Sequence, residues 1–574
     1  MVTSLQTPVK PVRHFLSQQL VIDSWEKAEK FYTELLAREI RSLADLEKWL
    51  KDRSELEAVV EEEGAWRYIR MSINTKDEKA VADYNYFVSE VEPKIAPFND
   101  KLNRKLHSCE FTAKADREKY FIYLRGVEQE LKLFREENVP LQAEISLEAQ
   151  KYGAITGAQS VSYKGKEMTM PKAAMYMKSI DRVEREEVYR LMNERREKDT
   201  DALNKLFGHL MNLRHKVAEN AGFKNYRDYM FAALGRFDYS VEDCENFHSS
   251  IRSEVVPITT GFMKERQEKL KLDKLKPWDL EVDISGKPAL HPFTNGAGLV
   301  KKTVDALKRV HPYFSDCIRI MNEMGHLDLE SKDGKAPGGY NYPLYEIGVP
   351  FIFMNAVGTQ RDLVTMVHEG GHAIHSFLTR NLELTAFKGL PSEVAELASM
   401  SMELISMDVW NEFYTDEEEL NRAKRDQLEK IISILPWIAT VDKFQHWLYL
   451  NHTHTPEERK DNWLRISEEF SSKMVDWTGY ESSKENNWQR QLHIYEVPFY
   501  YIEYGMAQLG AIAIWRNYKR NPGKSLQQYI DALSLGYTKS IPEIYKTAGI
   551  EFNFSQAYVS ELAGFVKSEL EKLK

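Results

Sequence analysis

SWEKAEKFYTELLAREIRSLADLEKWLKDRSELEAVV, residues 24–60, sets the fold class. Apolar side chains recur there at three- and four-residue spacing (Trp25, Ala28, Phe31, Leu35, then Leu43, Leu46 and Leu50), with charged residues between them. That period places the apolar residues on one stripe of a helix. The stretch Ser179 to Phe231 repeats the pattern and is nearly free of Pro and Gly until Gly222. No fixed repeat length joins these stretches, so the expectation is a mainly α body rather than a solenoid. Strand signals are few. VSYKGKEMTM (Val161 to Met170) reads as a small hairpin around Gly165. A second β candidate begins at Tyr340, its best strand being Val349 to Val357. Pro350 lacks an N–H, which predicts that this strand lies at a sheet edge. Lys271 to Gly298, with Pro277, Pro288 and Pro292, reads as a long connection. A soft boundary near residue 205 divides an N-terminal helical region, 1–205, from a region 206–574 that carries the chemistry.

Composition narrows the class of function. The chain has 574 residues, 43% hydrophobic and 29% charged, which is ordinary globular composition. Its formal charge of −10 argues against nucleic acid, whose phosphates need a positive field. Three scattered cysteines, Cys109, Cys244 and Cys317, make a poor disulfide framework and read as buried thiols. No segment has the length of a signal-peptide core or a membrane span. A cytoplasmic protein is expected, with no nucleic acid and no membrane as partners.

The chemistry is concentrated in TMVHEGGHAIHSF, residues 365–377. It contains HExxH, whose histidines fall at i and i+4 on one helical face, so His368 and His372 can present two imidazoles to one ion. Glu369, one residue round, is placed to reach a water on that ion. Gly370 and Gly371 each cost a helix interior roughly 1 kcal/mol against Ala, which implies something close against its backbone, such as a strand or a substrate.

A third ligand is needed. The extended HExxH pattern would require Gly and His where this chain has His375 and Leu378, so it does not apply. The helix expected after Pro391, with Ser392 as its cap, carries Glu393, Glu396 and Glu403 among apolar neighbours, where a carboxylate needs a partner. Glu396 is favoured as ligand. Glu403 reads equally as a group orienting a histidine or as a solvent-facing carboxylate. His375, one turn beyond His372, is a candidate neighbour of the ligands, although a core histidine fits it better. Two imidazoles and a carboxylate leave Zn²⁺ an open position at which water is acidified, with Glu369 as proton acceptor. Downstream, HIYEVPFYYIEY (His493 to Tyr504) is unusually rich in neutral hydrogen-bond donors. Tyr500 and Tyr501 each share a helical face with Tyr504.

These blocks, Gly338-Gly339-Tyr340, PFIFMNAVGT, HEGGHAIHS, AELASMSME and PFYYIEY, resemble in order and spacing the M3 zinc metallopeptidases of the oligoendopeptidase F and thimet oligopeptidase group. Asn212 to Tyr226 is similar to the helix and turn that precede the catalytic lobe of that group. The resemblance covers residues 180 to 520, and the N-terminal part matches only as generic helical sequence. It implies a two-lobed helical fold with a deep central channel and a small β-sheet beside the zinc helix. It further implies one Zn²⁺ per chain, with Glu396 completing the site and Tyr504, helped by His493, supporting the oxyanion. Tyr500 and Tyr501 also carry over as substrate contacts, whereas Val497 or Ala507 stands where distant members have further tyrosines. Gly370 replaces a bulkier residue.

The expected function is hydrolysis of internal bonds in short peptides. The substrate would pair with the edge strand under the Gly338, Gly339 and Tyr340 loop. The alternatives are release of C-terminal dipeptides or carboxypeptidase action on the same scaffold, and a non-catalytic zinc- or peptide-binding protein. The oligomeric state is not legible in the sequence.

Overall fold

A computed structural model describes residues 5–332, 334–336 and 338–573. Helices carry most of the chain, as the periodicity predicts, with five short strands among the described residues. The chain divides into two compact units, each assembled from three separate segments. The first comprises residues 1–132, 290–424 and 507–552, and the second 133–289, 425–506 and 553–574. The boundary expected near residue 205 falls inside helix Thr200–Asn220, so it is not a division of the fold. Contacts between segments distant in sequence define the units, and composition does not register them. Among the described residues, no helix is long and apolar enough to cross a membrane.

In the first unit the stretch that opens the sequence forms two helices, Trp25–Ala37 and Leu43–Ile73. Ser42 separates them, its hydroxyl accepting from Asp45 N at 3.1 Å, which satisfies one of the orphan donors at the helix start. Trp25, Ala28, Tyr32, Leu35, Leu46, Trp49 and Leu50 share a buried cluster, and Trp49 donates its indole N–H to the Leu35 carbonyl at 2.9 Å.

The C-terminal half of the second helix packs Ala65 and Ile69 on Phe351 and Phe353 of the unit's sheet. That sheet has three strands: β3 (Leu327–Glu330), β4 (Tyr340–Tyr342) and β5 (Phe351–Ala356), after a hairpin, β1 (Ser160–Tyr163) and β2 (Lys166–Thr169), in the second unit. The hairpin turns through Lys164 and Gly165, both at positive φ, where the sequence predicts it.

The order β3-β5-β4 makes β5 the central strand, parallel to β3 and antiparallel to β4. The expectation of an edge position is therefore wrong. Pro350 stands one residue before the first paired residue, Phe351, so its missing N–H costs the ladder nothing. The edges are β3 and β4, and β4 starts directly after Gly338 and Gly339. Gly339 lies so close beneath β5 that a Cβ there would meet the Phe353 carbonyl at 3.3 Å.

In the second unit, helices Arg182–Glu197, Thr200–Asn220 and Tyr226–Ala233 follow the predicted stretch. The connection from 271 is irregular apart from a parallel bridge between Leu275 and Val475 and a 3₁₀ turn, Pro277–Asp279, until helix Gly296–Val310 begins. Cys244 and Cys317 are buried and Cys109 is half-buried, none in a disulfide.

Candidate active site

The HExxH motif lies on helix Gln360–Thr379, which leaves β5 through a tightly closed turn. Thr359 caps the helix and Asp362 returns the bond, accepting from Thr359 N at 2.8 Å and from Val357 N at 2.9 Å. This reciprocal cap fixes the angle at which the strand feeds the helix. A second helix, Ser392–Ser406, carries the glutamates. It begins one residue earlier than expected, with Pro391 in the capping position and Ser392 as its first helical residue.

Gly371 explains how closely these helices approach. A Cβ on it would lie 2.6 Å from Ser399 Cα and 2.8 Å from the Ala398 carbonyl, atoms of backbone that cannot swing aside. The neighbour is a helix rather than a strand or a substrate. A Cβ on Gly370 would meet only Ile318 Cδ1, at 3.7 Å, ordinary contact, so a methyl group would fit there. Gly371→Ala is therefore expected to push the helices apart, lowering stability by more than the ~1–3 kcal/mol of ordinary overpacking, with a lower Tm and less bound metal, whereas Gly370→Ala is tolerated. Thermal unfolding and metal analysis of the two variants test this.

The close approach brings three ligand atoms together. His368, His372 and Glu396 each offer one atom within 4.8 Å of the others. Glu396 Oε2 lies 3.4 Å from His368 Nε2 and 3.7 Å from His372 Nε2. Behind the first imidazole, His368 Nδ1 hydrogen-bonds Glu403 Oε1 at 2.6 Å, an arrangement that leaves Nε2 free as a ligand. Ser399 donates to Glu396 Oε2 at 3.0 Å. Glu393 stands apart from this group, with its carbonyl accepting from the Tyr545 hydroxyl at 3.0 Å.

The electrostatics match a cation site. Burial opposes charge at Glu396, yet the hydrogen bond to His368 and the nearby imidazoles hold its carboxyl at about 2. His368 is also opposed by burial, but Glu396 and Glu403 raise it well above the usual histidine value. A proton on His368 thus occupies the place where a metal's charge would serve, and the donor set fits zinc. Burial lowers His372 to about 4, keeping it neutral.

Glu369 is 7% exposed, and burial, with Glu396 and Glu403 adding to it, lifts its carboxyl to about 7. Its own backbone carbonyl accepts from Asn341 Nδ2 at 3.2 Å, which ties β4 to the HExxH helix. Neither Asn341 nor Ser399 carries a signal in the sequence that marks it. His375 is buried beside the Leu533 backbone and is driven to about 3 by burial. That is the behaviour of a neutral core histidine.

Of the loop candidates, Gly338 adopts a φ of +96°, and its carbonyl accepts from Asn355 Nδ2 at 2.9 Å. Tyr340 stacks on Phe353 at 4.9 Å and bonds Ser72 through its hydroxyl at 2.5 Å, so its side chain supports the strand.

His493, Tyr500, Tyr501 and Tyr504 belong to the second unit and form a group of their own. The His493 ring is 4.8 Å from that of Tyr501 and 5.9 Å from that of Tyr504. Gln491 Nε2 lies 2.6 Å from His493 Nδ1, and Trp437 donates to Gln491 Oε1 at 2.9 Å. Burial raises the Tyr501 hydroxyl to about 12, so it stays a donor at neutral pH.

Comparison with known families decides the relationship. The model of peptidase family M3 matches residues 175–564, which include every residue of both groups, and that of the peptidase M3 N-terminal domain matches residues 15–134. The chain belongs to peptidase family M3. The N-terminal match corrects the reading of that region as generic helix.

Among M3 relatives, the chromosomal oligoendopeptidase F of Lactococcus lactis subsp. cremoris is 25% identical over 334 residues, 55% of this chain and 52% of the relative. The oligopeptidase PepF of Bacillus subtilis (strain 168) is 23% identical over 344 residues, 58% of this chain and 49% of the relative. The chain thus spans about half the length of the curated relatives it matches. The solved structure of PZ peptidase A with an inhibitor superposes with a TM-score of 0.89 at 25% identity, covering 95% of this chain and 97% of that one.

Proposed function

We propose that this M3 peptidase is a zinc endopeptidase that hydrolyses internal bonds of short peptides. The observation that carries the reading is the buried Glu369 carboxyl one residue from two convergent imidazoles, with Glu396 beside both. His368, His372 and Glu396 would hold the ion. Bound zinc would supply a Lewis acid that acidifies water and polarises the scissile carbonyl.

The chain's own groups do the rest. Glu369 takes the proton of the attacking water and returns it to the leaving amine, and a carboxyl poised near neutrality suits both steps. Glu403 keeps His368 in one tautomer and orientation. Asn341 fixes the sheet edge against the Glu369 backbone, which supports β4 as the strand a peptide would extend by main-chain bonds that ignore side-chain identity. By resemblance to the family, Tyr504 and His493 donate to the oxyanion, while Gly338, Gly339, Tyr340, Tyr500 and Tyr501 contact the peptide.

A mixed-length peptide library digested by zinc-loaded protein, with products read by mass spectrometry and Glu369→Gln as the blank, tests the proposal. Internal cuts in short peptides, absent from the blank, are the expected result. Release of C-terminal dipeptides alone would reassign the chain to exopeptidase action. No products from either protein would leave a binding role.

A further inference from the structure

A second set of metal-ligand side chains lies within the second unit, away from HExxH in sequence. Helix Val241–Ser250 contributes Cys244 and His248, and the long helix Glu417–Leu450 contributes Asp442 and His446 at i and i+4. Cys244, Asp442 and His446 each offer one ligand atom within 4.8 Å of the others. Cys244 and Asp442 are fully buried, and His446 is 7% exposed.

The hydrogen bonding of this cluster is incomplete. Asp442 Oδ2 takes His248 Nε2 at 2.8 Å, with His446 Nε2 3.2 Å from the same oxygen. Asp442 Oδ1 is buried without a hydrogen-bond partner, and neither His446 ring nitrogen makes a hydrogen bond of good geometry. A buried acceptor left without a partner is costly, most of all when it is charged.

Charge points the same way. Arg236 acts on Cys244 and Asp442 only through its field, its ion pair, at 3.0 Å, being with Glu503. Among the described residues no Lys or Arg forms an ion pair with Asp442, whose close partners are the two imidazoles of His248 and His446. A divalent ion bound by one carboxylate, one thiolate and neutral imidazole would make the cluster neutral, the thiol proton passing to solvent on binding. His248, bonded to Asp442 Oδ2, would orient that carboxylate as outer partners of metal sites do.

We infer that Cys244, Asp442 and His446 form a second, structural site for a thiophilic divalent cation such as zinc. The ligands, one sulfur, one nitrogen and one oxygen, suit zinc with a fourth position for water or for His248 after rotation.

The site has a purpose in the fold. The His446 ring packs on Phe499 at 5.4 Å. Phe499 has a φ of +68°, a left-handed conformation that bulky residues rarely adopt. It is held there by Gln445, which accepts from its N–H at 2.8 Å, and by Arg236, which donates to its carbonyl. Two residues later, helix Tyr501–Arg520 begins with the tyrosine pair. An ion fixing His446 would therefore brace the turn from which Tyr501 and Tyr504 project.

Cobalt distinguishes this site from the HExxH site, whose ligands contain no sulfur. The metal-stripped full chain is reloaded with Co²⁺ alone and examined by metal analysis and absorption. The expected result is two Co²⁺ per chain and a near-ultraviolet thiolate-to-cobalt charge-transfer band. Cys244→Ala should abolish the band and one equivalent, and cancel part of the rise in Tm on loading. The His368→Ala, His372→Ala double variant should lose the other equivalent and keep the band.

One Co²⁺ per chain with no thiolate band in the unsubstituted protein would overturn the inference. So would a band that survives Cys244→Ala and disappears in Cys109→Ala or Cys317→Ala. Should Cys244→Ala fail to fold, Cys244→Ser carries the same comparison, and the unsubstituted protein's spectrum remains decisive. None of these readouts depends on peptide hydrolysis, so failure of the proposed activity and failure of this site are separable.

Discussion

Glu369→Gln is expected to lower kcat/KM for peptide cleavage by about 10³-fold, near 4 kcal/mol of barrier, while leaving metal content at its original value. The substitution keeps shape and volume at a position that is 7% exposed, so packing against the neighbouring helix is preserved. It removes only the capacity to accept and return a proton. Burial already makes the ionised carboxyl unfavourable there, which is why its value stands at about 7. Gln relieves that cost, so Tm should hold or rise as activity falls. Steady-state cleavage of an internally quenched peptide, metal analysis and thermal unfolding of the same preparation provide the comparison. Activity within tenfold of the original would assign the proton transfer to another group.

The second large effect concerns the metal itself. Glu396→Ala should release it, because the carboxylate lies within 3.7 Å of both imidazole Nε2 atoms and supplies the only negative charge facing them both among the described residues. Glu403→Gln provides the calibration, since Glu403 meets His368 at its far nitrogen, Nδ1, rather than at Nε2. Loss of such an outer partner weakens binding by roughly 10–100-fold. Loss of Glu396 should exceed this and leave less than one equivalent after dialysis against a weak chelator. Removing Glu396 also takes away one of the two carboxylates that stabilise the positive charge His368 carries without metal, so the variant should unfold at lower temperature. Full metal retention in Glu396→Ala would move the third ligand to Glu393 or Glu403.

Much of this site is legible in the sequence because its chemistry is local. His368 and His372 share a helical face by spacing alone, and Glu396 stands out as a carboxylate among Val394, Ala395, Leu397 and Ala398. The helical class follows from the period of residues 24–60, and the hairpin from Gly165 between two alternating runs. What escapes is set by pairing at a distance. Pro350 suggests an edge because a proline inside a ladder removes a bond, but whether the ladder starts at 350 or 351 depends on β4, whose register no local signal reports. The boundary near 205 fails for a similar reason. Each unit draws on three segments, and nothing in the composition of residues 290–424 reveals that they pack with 1–132 and 507–552. Gly371 is legible as a close approach, although the partner backbone, Ala398 and Ser399, is identified only by the structure. The cluster of Cys244, Asp442 and His446 is hidden most thoroughly, since its cysteine reads by itself as an inert buried thiol.

The interleaving of the first unit has a consequence for biosynthesis. A ribosome delivers the HExxH helix and the glutamate helix well before residues 507–552, the last segment of that unit. Those late residues hold the glutamate helix in place, with Tyr529 donating to the Ala398 carbonyl at 2.8 Å and Tyr545 to that of Glu393 at 3.0 Å. Until they emerge, the surface carrying Leu397 and Ala398 lacks its native cover, and the nascent chain must shield it by transient collapse or by a chaperone. The metal-binding geometry is therefore completed late in synthesis, and a chain stalled before residue 507 would present the motif without the support that shapes it.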